Sequence, residues 1–289
     1  MIRRGRSKGW LKQPVSRLEQ WSKLSGGSFS GVTVGSVPGL EQRGSAVIAS
    51  RQLVPGLERP LMKVPRDLVL SLESIQGEAK RFKLLGEILE ALGEFGKTAR
   101  GAVLVYLLLQ ATIVNPKAPK GSLSGLADSM KGEYIKFLPW DENLPTFWSQ
   151  REHELLTGTT LKPAVEAKLK SLHREFDQLC SATEEISWCA ENWWDESNAD
   201  RLIDFEDWMM VDAMYRSRAL EFPGIGDAMV PCIDMANHAS GDLTNALYDV
   251  NRDGDAELVL RPGSKLEPGD EVTITYGQPP LGVRCRDGS

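Results

Sequence analysis

The residues best placed to do chemistry lie in two segments of the last sixty residues. One reads Pro231-Cys232-Ile233-Asp234-Met235-Ala236-Asn237-His238, and the other runs from Glu267-Pro268-Gly269-Asp270-Glu271 through Val272-Thr273-Ile274-Thr275 to Tyr276-Gly277. Taken alone, Asn237-His238 reads as a turn pair after a buried strand and Tyr276 as a half-buried strand aromatic. Asp234, a single acid in an apolar strand, suits a structural hydrogen-bonding role better than that of a general base. Other chemistries lack their minimum feature: the chain has no G-x-S-x-G, H-E-x-x-H, G-x-x-x-x-G-K-[ST] or G-x-G-x-x-G. Cys180, Cys189, Cys232 and Cys285 form no C-x-x-C pair, and with three histidines no zinc-ligand spacing arises, so no metal is expected.

The elements that must position these residues follow a β, helical, β order. Ser16 to Leu24 predicts a short helix, and Gly31 to Leu72 carries brief β-prone runs (Val32–Val34, Ala46–Ala49, Leu61–Val64) between Gly and Pro turns. From Glu78 to Leu220 the apolar spacing is helical, as in Phe82, Leu85, Ile88, Leu89, Leu92 and in Val165, Leu169, Leu172, Phe176, Leu179. His173 falls between those stripe positions and reads as a partly exposed helix residue. The β signature returns in Met229–Ile233, Asn245–Val250, Glu257–Arg261 and Glu271–Tyr276, separated by Gly241-Asp242, Asp253-Gly254 and Pro268-Gly269 turns. Each β region is too small to fold alone, so the two are expected to close into one α+β domain around the chain's ends, with the helices inserted between them.

The 289 residues are 41% hydrophobic and 26% charged, the composition of an ordinary globular protein. The apolar run from Gly101, broken at Gln110, is shorter than the roughly 20 residues a membrane span needs and reads as a buried helix. A net charge of −6 argues against a protein that coats nucleic acid. That total hides an asymmetry: residues 1–66 hold twelve Lys/Arg against three Glu, while Glu184 to Asp212 holds ten carboxylates and one arginine, interleaved with Trp188, Trp193, Trp194 and Trp208. The acidic stretch reads as a solvated helix face whose tryptophans pack inward, with a docking surface for a basic polypeptide as the alternative. The cysteines read as reduced thiols of a cytoplasmic or nuclear protein. The basic first residues fit a plain tail better than an organellar presequence.

The two C-terminal segments together resemble the paired motifs of the SET-domain protein lysine methyltransferases. The likeness extends upstream to Arg43-Gly44, the run to Ala49, and Leu61–Pro65 with Leu68–Leu70. Phe137-Leu138-Pro139, Trp148, Leu155–Thr159 and Arg216-Ser217-Arg218-Ala219 resemble the branch containing Rubisco large-subunit methyltransferase and the SETD-type and ribosomal-protein lysine methyltransferases. The division this implies is a basic tail (1–15), an N-terminal SET segment (16–75), a helical insert (76–213), a C-terminal SET segment (214–277) and an atypical tail (278–289). The family's further tyrosine and separate helical substrate-binding domain find no counterpart after Gly277.

The resemblance implies S-adenosylmethionine as cofactor, cradled by main-chain groups of Glu41, Arg43 and Gly44, with Asn237, His238 and Arg218 contacting it. It places Asp234 and Tyr248 at a channel for the target lysine and makes Tyr276 the catalytic tyrosine. The implied reaction is methyl transfer to a lysine of a protein substrate, non-histone and bearing a basic target region, by a monomer with no direct nucleic-acid or membrane partner. Two alternatives stand beside it: a SET-fold binding module of weak or no activity, and histidine as the methyl acceptor.

Overall fold

The structure, a computed structural model, describes residues 12–37, 39, 44–55, 60–114, 129–139, 144–194 and 203–276. Glu41, Arg43, the first eleven residues and everything after Tyr276 lie outside the described residues, as do three carboxylates and the arginine of the acidic stretch. Contacts divide the chain into two units. The described parts of Gln13–Ser74 and Arg218–Ser289 form a β-rich unit, and those of Met1–Lys12 and Ile75–Ser217 a helical one.

In the β-rich unit, helix α1 (Leu18–Leu24) leads into β1 (Ser28–Phe29), β2 (Val32–Gly35), β3 (Ala46–Ala49) and β4 (Met62–Val64). The other end of the chain supplies β5 (Leu220–Phe222), β6 (Gly226–Ala228), β7 (Asn237–His238), β8 (Ala246–Val250), β9 (Ala256–Leu260) and β10 (Glu271–Ile274). One sheet has the order β1-β4-β9-β8 and a second β2-β3-β10-β7, with β5 and β6 forming a separate hairpin. The two chain ends therefore interleave, with Met62 opposite Leu258 in one sheet and Val47 opposite Val272 in the other. Neither end can complete a sheet alone, because each contributes two strands per four-stranded sheet and a two-stranded pair is marginal. This is the α+β architecture expected from the sequence, closed from both chain ends around a helical insertion.

Local chemistry sets the register. The small and β-branched residues of β3 are buried at all four positions, as suits a strand paired on both edges. Between β8 and β9 the Asn251 side-chain oxygen accepts the Asp253 and Asp255 N–H groups at 2.9 and 3.0 Å, and Gly254 takes φ +85°. That turn brings Val250 opposite Ala256.

One expected strand does not form. Met229 makes a single bridge to Leu70, after which Pro231-Cys232 turns and Ile233–Met235 winds into a short 3-10 helix. Every residue from Ala228 to Ala236 is buried, so an apolar run there cannot distinguish a strand from a buried turn. The turn is made by Cys232, the one non-glycine residue with positive φ among those described (φ 73°, ψ −44°). Its backbone is strained, as is common next to functional sites.

The helical unit runs from α2 (Leu72–Arg81) and α3 (Lys83–Ala91) through α4 (Ala99–Val114), α5 (Met130–Tyr134), α6 (Gln150–Glu154) and α7 (Leu161–Thr183) to α8 (Ser187–Cys189) and α9 (Phe205–Arg218). Helix α4 is buried on every face from Ala102 to Thr112, as an all-round apolar helix must be. No helix among the described residues is long and apolar enough to cross a membrane. On α7 the residues Val165, Leu172 and Leu179 are buried, while His173 is exposed and stacks on Phe205 with ring centroids 3.7 Å apart.

The acidic, Trp-rich stretch turns inward rather than outward. Trp193 and Trp208 are fully buried, and the Trp193 indole N–H donates to Thr112 at 3.0 Å from a single π-helical turn, Ala190–Trp194. Asp212 is the internal counter-ion of Arg100 and of Lys168, the latter at 2.8 Å. Four carboxylates, Glu184, Glu185, Glu191 and Glu206, stay exposed. The inward-packing reading therefore holds for the tryptophans, and part of the acidity serves the interior.

Candidate active site

The site residues predicted from the sequence and described by the structure all belong to the β-rich unit. They fall into three bonded groups and one isolated side chain.

The first group is built on Tyr276. Strand β7 pairs parallel to β10, with Asn237 opposite Thr273 and His238 opposite Ile274, so the two strands leave the pair at the same end. Tyr276 is anchored there at both ends: its hydroxyl donates to the Ala236 carbonyl at 2.8 Å, and its backbone N–H donates to His238 Nδ1 at 3.0 Å. The two rings lie 5.2 Å apart. Burial pushes the phenol above its usual value. Arg218 opposes that shift, and Asp234 and Glu271 reinforce it. A neutral phenol with its proton committed to a carbonyl has oxygen lone pairs left to offer an N–H or a polarised C–H.

The second group is Asn237 with the acid of β10. The Asn237 amide nitrogen donates to Glu271 Oε1 at 2.6 Å and to the Ser45 carbonyl at 3.4 Å. Spending the NH2 in this way turns the amide oxygen into the acceptor of the pair, suited to an ammonium or N–H donor. Ser45 follows Gly44, which takes φ +86° and, among the described residues other than its chain neighbours, has no atom within 4 Å of where a Cβ would project. A glycine at positive φ lets a turn bring backbone groups to close range of a ligand.

The third group is Arg218 and Asp234. The guanidinium leaves the last residue of α9 and bonds the Asp234 carboxylate at 3.1 Å, its carbonyl at 3.4 Å and Met235 Sδ at 3.3 Å. The Asp234 side chain has no exposed surface. It is therefore an ion-paired structural acid rather than a free base.

Tyr248 stands apart in β8. It is 1% exposed and packs on Phe222 at a centroid distance of 4.8 Å, and its hydroxyl has no hydrogen-bond partner among the described residues. Burial raises its pKa, with Glu221 adding to the effect. A buried hydroxyl without a partner costs free energy, and in a native protein it calls for an explanation such as a bound ligand.

Sequence reasoning passed over the residues that hold this set in place. Glu271 was visible as the acid five positions before Tyr276, yet nothing in spacing says that it would orient Asn237. Asn245 ties the start of β8 to β10, donating to the Glu271 carbonyl at 2.9 Å and accepting the Thr273 N–H at 2.9 Å. The Ala236 and Ser45 carbonyls are main-chain groups, invisible to any motif.

Comparison with known proteins gives a consistent picture. No family model matches the chain. A curated relative, SET domain-containing protein 8 of Schizosaccharomyces pombe, is 24% identical over 241 residues, which is 82% of this chain and 49% of the relative. Among solved structures, the SET domain of LSMT bound to lysine and AdoHcy aligns with a TM-score of 0.62 at 17% identity, over 91% of this chain and 53% of its own. Rubisco LSMT bound to AdoMet aligns with a TM-score of 0.62 at 18% identity, over 91% and 52%. The chain thus spans about half the length of the proteins it matches. The chain therefore has the SET fold, in a form that resembles LSMT.

Proposed function

We propose that this chain is an S-adenosylmethionine-dependent methyltransferase acting on the side-chain amine of a lysine in a non-histone protein. The observation that carries the reading is Tyr276, a neutral phenol fixed at both ends on the Asn237-His238 strand, in a fold whose solved examples hold AdoMet, AdoHcy and lysine. Residues suited to hold the cofactor are the Gly44 turn, Asn237 through its amide oxygen, the main chain of His238, and Arg218. Glu41 and Arg43 complete the set by family resemblance.

Bound S-adenosylmethionine supplies an electrophilic methyl on a sulfonium sulfur that leaves with the bonding pair. The chain's own residues must present the acceptor amine neutral and aligned. A lysine of reference pKa near 10.4 has to lose its proton first, at a cost of roughly 4.6 kcal/mol at pH 7. Tyr276 is a poor base for that proton, because burial favours the neutral phenol, and Asp234 is committed to Arg218. The proton therefore leaves to solvent before the amine is enclosed, and an apolar channel keeps the amine neutral afterwards. The Tyr276 oxygen accepts an amine N–H, directing the nitrogen lone pair.

The test is transfer of labelled methyl from S-adenosylmethionine to proteins of a cell extract, with wild type and Tyr276→Phe side by side and cofactor binding followed by calorimetry. A labelled band lost in the variant, with cofactor binding retained, supports the reading. Equal labelling by both proteins removes Tyr276 from its role, and no labelling by a wild type that binds the cofactor overturns the activity.

A further inference from the structure

His238 is the residue from which the structure yields more than a cofactor contact. A backbone N–H can only donate, so the 3.0 Å bond from Tyr276 requires a lone pair on His238 Nδ1. An imidazole with an unprotonated Nδ1 is neutral and carries its single proton on Nε2. That nitrogen lies 3.0 Å from Ser240 Oγ, where the proton has an acceptor. The two contacts therefore select one tautomer, and the imidazole links the loop after β7 to the chain just past β10. Strand pairing cannot do this, since the β7–β10 pairing ends at Ile274 and Tyr276 is two residues beyond it. The Tyr276 hydroxyl bonds the Ala236 carbonyl, so among the described residues the phenol is aimed by two restraints, of which the imidazole is the one on its main chain.

We propose that the His238 side chain is a positioning residue: in its Nε2–H form it fixes the Tyr276 backbone and so the direction of the phenol oxygen. This rests on the methyltransferase reading for its kinetic consequence, but not for its tautomer. A misaim of even about 1 Å in a group that orients the amine can cost on the order of a hundredfold in rate, whereas a side-chain change leaves in place the main chain that the proposed function offers to the cofactor.

The experiment has a structural arm and a kinetic arm. Long-range nitrogen–proton NMR on histidine-labelled protein reads the tautomer directly, and it does so whether or not the chain transfers methyl groups. The expected result is a protonated Nε2 and a bare Nδ1 on His238; an Nδ1–H signal would overturn the proposal. In the kinetic arm, His238→Asn places an acceptor oxygen where Nδ1 stands, while His238→Gln places one near Nε2 only. His238→Gln is expected to lose at least tenfold more kcat than His238→Asn, with cofactor Kd differing less than threefold between the two variants. Equal losses in the two variants, or a loss that appears in cofactor Kd and not in kcat, would overturn the positioning role. An absence of transfer in the wild type bears on the methyltransferase reading, and the tautomer measurement then decides the proposal alone.

Discussion

Arg218 grips Asp234 twice, at its carboxylate (3.1 Å) and at its own main-chain carbonyl (3.4 Å), while the Asp234 side chain has no exposed surface. The arginine ends the last helix of the insertion, and the acid sits in the 3-10 turn that leads into Asn237-His238. Removing the guanidinium strips a paired counter-charge from a fully buried carboxylate, which in buried pairs costs about 3–5 kcal/mol. Arg218→Met is therefore expected to lower stability by that order in urea unfolding. Arg218→Met combined with Asp234→Leu should recover at least half of the loss, because the uncompensated charge is gone. If the double variant is as unstable as the sum of the singles, the pair is not the coupled unit that its geometry indicates.

Tyr248 offers the opposite trade. Its hydroxyl is buried and has no partner among the described residues, so deleting the oxygen removes a desolvation cost and leaves the ring on Phe222. Tyr248→Phe is expected to stabilise the protein by about 1 kcal/mol, visible as a higher urea midpoint at unchanged slope. If Tyr248 faces the acceptor in the proposed reaction, methyl transfer by the same variant falls or shifts in the number of methyl groups added. A destabilised Tyr248→Phe would show that the hydroxyl already has a partner in the folded protein.

The pH dependence of transfer separates an orienting phenol from a basic one. Burial keeps the Tyr276 phenol protonated beyond its usual value near 10, while in the proposed reaction an acceptor lysine must be neutral to react. The rate constant kcat/KM is accordingly expected to rise with pH from 7 to about 9, without a falling limb from the phenol in that range. A decline beginning below pH 9 that disappears in Tyr276→Phe would mean that the phenol ionises early and is tuned for another task.

How much of this was legible in the residues depended on whether a side chain or a main-chain group carried the information. The β, helical, β order and the Asp253-Gly254 turn were readable, because alternation, helical spacing and Gly-rich turns each have a local cause. The strand expected at Met229–Ile233 was misread for a physical reason. A fully buried turn and a fully buried strand have the same apolar signature, and only the positive φ of Cys232 tells them apart. Asn237, His238 and Tyr276 could be singled out by type, but their restraints could not: the Ala236 and Ser45 carbonyls have no sequence identity, and Glu271 reaches Asn237 across a parallel strand pair formed 34 residues apart. The acidic stretch also showed its charge without showing that Asp212 faces Arg100 and Lys168 inside the helical unit.

Alkaline pH should unfold the protein earlier than its charge alone would suggest. The Cys189 thiol is fully buried and pushed up to about 12, chiefly by burial with Glu87 adding to it. Burial likewise raises the Cys232 thiol and the Tyr106 phenol. The sign follows from linkage. Below the thiol's unfolded value near 8.5 both states hold the proton and the stability is intact. Above it the unfolded chain sheds protons that the folded chain retains, so stability falls by about 1.4 kcal/mol per pH unit for each such group. The loss for Cys189 continues until its folded value near 12 is passed. The urea midpoint under reducing conditions is therefore expected to drop steadily between pH 8.5 and 10.5, and Cys189→Ala, whatever its stability at pH 7.5, should show a shallower drop. A midpoint that stays flat over that range, or a slope unchanged by Cys189→Ala, would mean that the thiol is open to solvent in the native protein.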